Sequence, residues 1–478
     1  MPSTFMYSFL LYFAFLLAIG LFFKEKQTSS SEFIHGGRQI NYWLTAISAH
    51  ASDMSVWALM AFPAAFFISG LHNIWIAIRL VVGMYLNWHF VAKKLRVQTE
   101  SLDCCTLSTF FEARFKDRTH ILRLLTALIS VVFLTAYISA GLIAMGYLVE
   151  NIFAINYYTG LLIAIAVVIT YVYLGGFVAI ARTDLFQGLL LLGAVLIVPL
   201  IAYQQLEGWE SIHAAALSKN ISLAILPDYS LNTLIHILLL SSSWGLGYFG
   251  QPHIITKFMG IKNPEEIYKS KYIGIIWQIL VLGAGMCIGL IGIGFFADPL
   301  ENPEMIFIEM TKKLVFTPLI GLVLCAVIAA NMSTIASQIL VCASSLSEDM
   351  YKYFSKNPNT NLLNVSRYST VIVTVMAFCI ALIKSTTIMI IVEYAWTGLG
   401  ASFGPLVIMA LYFKKANKYG AIAGVLTGAV LAAFWPIINP YVLDASLPSM
   451  IPAFILSLLS IYFISLVTDK FYVIEQAN

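Results

Sequence analysis

The residues best able to do chemistry in this chain stand inside apolar stretches, where polar groups are costly. The segment Ser48-Ala-His-Ala-Ser-Asp-Met-Ser55 places Asp53 about twelve residues into such a stretch, roughly 18 Å along a helix at about 1.5 Å per residue. That depth is near the middle of a bilayer, where a carboxylate needs a partner cation or water. Ser48, Ser52 and Ser55 surround it. Serines compete for backbone hydrogen bonds and tolerate local unwinding, and an unwound turn would free carbonyl oxygens to bind a hard cation. The competing reading is a satisfied polar kink.

A second segment, Ser241-Ser-Ser-Trp-Gly-Leu-Gly-Tyr-Phe-Gly-Gln-Pro252, puts three glycines and a proline into another apolar run. Membranes tolerate such an interruption only where a cavity or neighbouring protein satisfies the backbone. Trp244 and Tyr248 are four residues apart and share a face if the segment is helical. They form either the aromatic wall of a small-substrate pocket or plain packing. A third segment, Asn331-Met-Ser-Thr334, offers hydroxyl oxygens of the kind that bind Na⁺, although small polar residues also glue helices together. Gly175-Gly176 and Asp184 form a polar hinge, with Asp184 either a cation exit site or an interfacial acid.

These residues must be positioned by membrane helices. Of 478 residues, 60% are hydrophobic and only 11% charged, with a mean hydropathy of +0.86; soluble domains carry about 25% charged residues. Apolar runs of spanning length fall near 5–23, 42–70, 74–92, 121–148, 157–174, 184–204, 231–258, 272–297, 319–349, 367–386, 388–413, 418–438 and 451–468. The expectation is an all-α membrane protein with about thirteen transmembrane helices in a single domain over 1–478. A short surface helix is expected around Thr106 to Lys116. With the N-terminus outside and the C-terminus cytoplasmic, only Arg79, Lys219, Lys312, Lys313 and Lys384 of 27 basic residues lie away from the inner loops, as the positive-inside rule requires. The first run lacks a basic leader and a cleavage site, and reads as a retained helix.

Several functions are disfavoured. The net charge of +3 gives no nucleic-acid footprint, because the basic residues sit in loops between apolar runs. The six cysteines are scattered without a metal-binding spacing. His50, His72, His89 and His253 form no metal set, and no nucleophile–base signature marks an enzyme. The interruptions lie in the second and seventh runs, five apart. Corresponding breaks in two halves are what an inverted-repeat transporter presents, with its site near the midplane.

From about residue 30 to 470 the chain resembles the sodium/solute symporter family. The landmarks are Gly36-Gly37-Arg38, Ala51-Ser-Asp-Met-Ser55, Trp75-Ile-Ala-Ile78, Trp244-Gly-Leu-Gly-Tyr-Phe-Gly-Gln-Pro-His253, Met332-Ser-Thr334, Ser347-Glu-Asp349 and Tyr394-Ala-Trp396. The stretch from Trp244 is the most specific, and resembles the proline-carrying members. The resemblance implies a leucine-transporter-like five-plus-five inverted-repeat core over about 42–413, with the helices at 5–23 and 418–468 peripheral. It implies a Na⁺ site made by the carbonyls of Ala51, Met54 and Ala330 and the hydroxyls of Ser333 and Thr334. Asp53 and Asp184 would serve the cation pathway, and Arg38 an inner gate. Ser55, Tyr137, Trp244, Tyr248 and Pro252 would line the substrate pocket.

Three residues depart from the pattern: Val56, where proline-carrying members have glycine, and the charges Arg79 and Glu393. The latter pair with one another or snorkel separately to an interface. The function implied is Na⁺-coupled uptake of L-proline across a bacterial plasma membrane by alternating access. The partners are then a small-molecule substrate, the co-transported Na⁺ and membrane lipid, with no obligate protein partner. Val56 keeps another small amino or carboxylic acid in view. A transporter-like membrane sensor is the reading from another class, opposed by the short tail after Asp469.

Overall fold

Backbone polar groups in hydrocarbon must find partners within the chain, and an apolar sequence meets that demand with helices. The computed structural model describes residues 2–24, 29–153, 155–226, 228–314, 317–355, 361–384, 388–442 and 447–477. Among the described residues every element is helical. Extended pairing is confined to one bridge, in which the Ile40 N–H donates to the Gly260 carbonyl and the Lys262 N–H to that of Ile40.

Nine helices among the described residues are long and apolar enough to cross a membrane, or ten if the bent pair Tyr42–Ala51 and Val56–Ser69 is one span. About thirteen were expected, and four of the expected runs make the difference. The first helix, Pro2–Lys24, spans 23 residues, and Tyr7–Ile19 is its apolar segment among the residues whose side chains are described. The run 231–258 is divided into Leu231–Gly247, a tight turn Tyr248–Gly250, extended Gln251, and Pro252–Met259. The runs 157–174 and 184–204 fall on one element, Tyr157–Gln204, of 48 residues. (The end of the run 367–386, at 385–386, lies outside the described residues.)

That long element is not straight. Gly176 has φ 57° and ψ −164°, and the hydroxyls of Tyr171 and Thr183 are hydrogen-bonded at 2.6 Å. On an unbroken helix, residues twelve apart are separated by about 18 Å along the axis. The chain therefore bends sharply at Gly176, which tolerates the positive φ because it has no Cβ.

Close helix contact fixes the interrupted segments. A Cβ on Gly83 or Gly245 would overlap the backbone of the facing helix, and one on Gly247 would overlap the Trp396 indole. A short helix stands where a surface helix was expected, as Leu107–Arg114 with a reciprocal Thr106–Thr109 capping box, but Leu107, Ser108, Phe110 and Phe111 bury it against the rest of the chain. At one end of the molecule arginines tie segments together through backbone carbonyls. Arg38 donates to Thr99 and Cys104 at 2.9 Å, Arg96 to Ile261 at 2.7 Å and Arg123 to Glu348 at 2.6 Å. Elsewhere Lys219 donates to the carbonyls of Ile293 and Phe296, and Lys384 pairs with Glu150 at 2.9 Å.

Candidate functional site

The first break is built by its own hydrogen bonds. Helix Tyr42–Ala51 starts at Asn41, whose side chain accepts from the Leu44 N–H, and ends at Ala51. In a continued helix the Ser55 N–H would donate to the Ala51 carbonyl; it donates instead to that of Asp53 at 2.9 Å. The following helix leaves at 72°. The Ala51 carbonyl is thereby freed, and it accepts from Ser333 Oγ at 2.8 Å and lies 3.5 Å from Thr334 Oγ1. The same hydroxyls lie 2.9 and 3.3 Å from the Ala330 carbonyl. Four of the five residues expected to hold a cation are thus within hydrogen-bond reach of one another. Met54 is buried in the same unwound turn, its N–H donating to the His50 carbonyl at 3.0 Å.

The two breaks meet through a carboxylate. Tyr248 Oη donates to Asp53 Oδ2 at 2.5 Å and accepts from Gln278 Nε2 at 3.0 Å. Asp53 is fully buried, and its Oδ1 has no partner among the described residues. Trp57 Nε1 donates to the Asp53 carbonyl at 3.1 Å, and its ring stacks on Trp244 with centroids 6.2 Å apart. Trp396 closes the group, donating to the Trp244 carbonyl at 3.2 Å and meeting the Tyr248 ring edge-on at 5.2 Å.

Beside this aromatic group lies a narrow cavity bordered by Ser55, Val56, Trp57, Tyr137, Asn331, Thr334 and Gln338. Of the five expected pocket residues, Ser55 and Tyr137 line it. Trp244 stacks on Trp57, Tyr248 packs on Trp396 and Asp53, and Pro252 lines a neighbouring cavity toward the arginine-rich end. The Tyr137 and His253 rings, edge to face at 5.8 Å, stand between the two. Val56 borders the narrow cavity directly. Sequence reading missed Gln338, whose side-chain amide is buried with neither polar atom partnered among the described residues. The available signal was its place four residues after Thr334 on one helix face.

Asp184 is fully buried rather than interfacial. Its Oδ2 accepts from Ser48 Oγ at 2.5 Å and from Lys257 Nζ at 3.1 Å. Lys257, expected on an inner loop, stands instead on the helix Pro252–Met259, which turns it inward and leaves it 3% exposed. Arg38 lies at the arginine-rich end, in the left-handed region at φ 58°, beside His35 and Arg96. Burial, assisted by Arg38, holds His35 down at about 4. Arg79 and Glu393 do not pair in the ion pairs of the described residues: Glu393 is exposed beside Tyr394 in an open groove, and Arg79 is half-buried.

The comparisons bear on this geometry. The family model described as the sodium:solute symporter family matches residues 33–428. Sodium/proline symporters of Staphylococcus aureus, strains JH9 and COL, are each 39% identical over 475 residues, covering 96% of this chain and 92% of theirs. A Na⁺-coupled sialic acid symporter, solved substrate-bound and outward-open, superposes with a TM-score of 0.83 at 16% identity, over 98% of this chain and 97% of that one. MhsT in complex with L-phenylalanine superposes at 0.57 and 13% identity, over 90% of this chain and 98% of that one.

Proposed function

Because the chain belongs to the sodium:solute symporter family, we propose that it takes up L-proline together with Na⁺ by alternating access. It is a multi-pass membrane protein and a sodium-coupled solute symporter; proline is the finer reading, supported by the 39% identity to sodium/proline symporters. The observation that carries it is the Ala51 carbonyl, released by the broken helix and met by Ser333 and Thr334. Na⁺ would sit among the carbonyls of Ala51, Met54 and Ala330 and the two hydroxyls, which rotate their protons away to present lone pairs. Asp53 would attract the ion from outside, Asp184 would receive it on the way inward, and Arg38 would hold the inner gate.

In the narrow cavity, Ser55, Tyr137 and Gln338 would bind the charged ends of the amino acid. The Trp57–Trp244 stack, with Tyr248 packed on Trp396, supplies an apolar and cation-attracting face. Pro252 would border the inward route. Thirteen crossings with the basic residues inside would put the N-terminus outside and the C-terminus in the cytoplasm of a bacterial cell, around a leucine-transporter-like five-plus-five core. The membrane potential supplies about 2.3 kcal/mol per charge per 100 mV. Coupling requires that each ligand raise the affinity of the other.

Val56 favours a second reading, a different small amino or carboxylic acid, because its side chain borders the cavity. Uptake of labelled proline into proteoliposomes, with and without an inward Na⁺ gradient, decides between them. Gradient-dependent accumulation is expected. Accumulation of another acid but not of proline would overturn the substrate and leave the Na⁺ coupling standing.

A further inference from the structure

We propose that Lys257 is a tethered competitor of the transported Na⁺ for Asp184, and that its withdrawal lets the ion pass toward the arginine-rich end. The inference deepens the Na⁺-symport reading above and rests on it. Lys257 and Asp184 are both buried, at 3% and 0% exposure. Asp184 Oδ2 is shared by Ser48 Oγ at 2.5 Å and Lys257 Nζ at 3.1 Å, whereas Oδ1 is buried with no hydrogen-bond partner among the described residues. A buried carboxylate oxygen left open is a costly arrangement that a ligand would relieve.

Oxygen atoms connect this carboxylate with the Ala51 carbonyl. Ser333 Oγ reaches that carbonyl at 2.8 Å; one turn along the same helix Ser337 Oγ meets Ser52 Oγ at 2.9 Å. Ser52 Oγ donates to the Ser48 carbonyl at 2.7 Å, and the Ser48 hydroxyl ends on Asp184. A hard cation takes oxygen ligands of this kind. An ion descending these oxygens arrives where an ammonium already stands, and two cations on one buried carboxylate repel. Lys257 has somewhere to withdraw to: from its place on Asp184 its Nζ is already 5.1 Å from the centroid of the Phe177 ring, and both side chains line the cavity toward the arginine-rich end. The flexible lysine stem allows the ammonium to move between them.

Equilibrium binding of radiolabelled Na⁺ to the purified full-length chain tests the proposal. Lys257→Met and Lys257→Gln should each lower the half-saturating Na⁺ concentration by at least about fivefold, the low end of coupling between interacting sites. Adding Asp184→Asn to either should abolish that gain, and Lys257→Arg should bind as wild type does. Unchanged or weaker binding in both neutral variants, or a gain that survives Asp184→Asn, would overturn the inference. Should the neutral variants not fold, labelling of Lys257 in the wild type by an amine-directed reagent replaces them. Na⁺ should raise the labelling relative to choline, and equal labelling overturns the proposal. A wild type that binds no Na⁺ defeats the symport reading itself; a wild type that binds it, with variants that bind no tighter, defeats only the role of Lys257.

Discussion

Tyr248 Oη donates a 2.5 Å hydrogen bond to Asp53 Oδ2, and these two residues lie 195 positions apart in the two interrupted helices. The bond joins the breaks at one buried carboxylate, so the helices that carry the site move or hold together. Removing one partner of a buried hydrogen bond costs about 1–3 kcal/mol, more when the remaining group is charged. Tyr248→Phe should therefore raise the Na⁺ concentration for half-maximal uptake by about 5- to 150-fold. Combined with Asp53→Asn it should add little further loss. Additive losses in that double-mutant cycle would show that the pair does not act as a unit.

Ser333→Ala and Thr334→Ala remove the hydroxyls that meet the Ala51 carbonyl. Each should weaken Na⁺ activation of uptake by about tenfold or more, the range expected for a lost bond to a charged group, and proline should be affected only through its coupling to Na⁺. Na⁺ activation curves at saturating proline measure this. A double variant with unaltered Na⁺ dependence would remove both residues from the ion site.

Gln338→Leu replaces a buried, unpartnered amide beside the narrow cavity by an apolar group of similar size. A bond from that amide to a charged end of the substrate is worth about 1.5–3 kcal/mol, so the proline KM should rise by about 10- to 150-fold. Half-saturation by Na⁺ at saturating proline should stay close to wild type. If the proline KM is unaltered, Gln338 does not touch the substrate.

Val56→Gly should widen the same cavity and let a six-membered-ring analogue of proline compete for uptake better than it does in the wild type. Competition against labelled proline is the readout. An unaltered ranking of analogues would show that Val56 does not set the size limit.

His35 is held neutral by burial and by Arg38, its value lowered from 6.5 to about 4. Between those values the unfolded chain binds the proton and the folded chain does not, so folded-state stability falls as the pH drops through the window and is fully kept above it. The thermal unfolding midpoint in detergent should decline between pH 6.5 and 4 more steeply in the wild type than in His35→Gln. Parallel declines would exclude His35 as a contributor.

The sequence made the interruptions legible because glycine, proline and serine inside apolar runs have few other uses. The resemblance to the symporter family, and not the residue pattern itself, grouped Ala51 with Ser333 and Thr334, which the structure brings within hydrogen-bond reach. The sequence did not reveal Trp57 and Trp396 as partners of Trp244, or the inward turn of Lys257. Those contacts depend on the rotation of each helix about its axis, which packing against facing glycines and aromatic rings decides. The sharp bend at Gly176 shows the same limit: Gly175-Gly176 marked a hinge, while its angle follows from contacts such as Tyr171 with Thr183.

In the proposed cycle, Na⁺ at the released Ala51 carbonyl prepares the neighbouring cavity for the substrate. Equilibrium binding of labelled proline to the purified chain, measured across a series of Na⁺ concentrations with choline replacing Na⁺, tests it most directly. Proline affinity should rise with Na⁺ in the wild type, by about 5- to 150-fold for a coupling of 1–3 kcal/mol, and should lose that dependence in the Ser333→Ala, Thr334→Ala double variant. Proline bound equally well with and without Na⁺ would contradict the account.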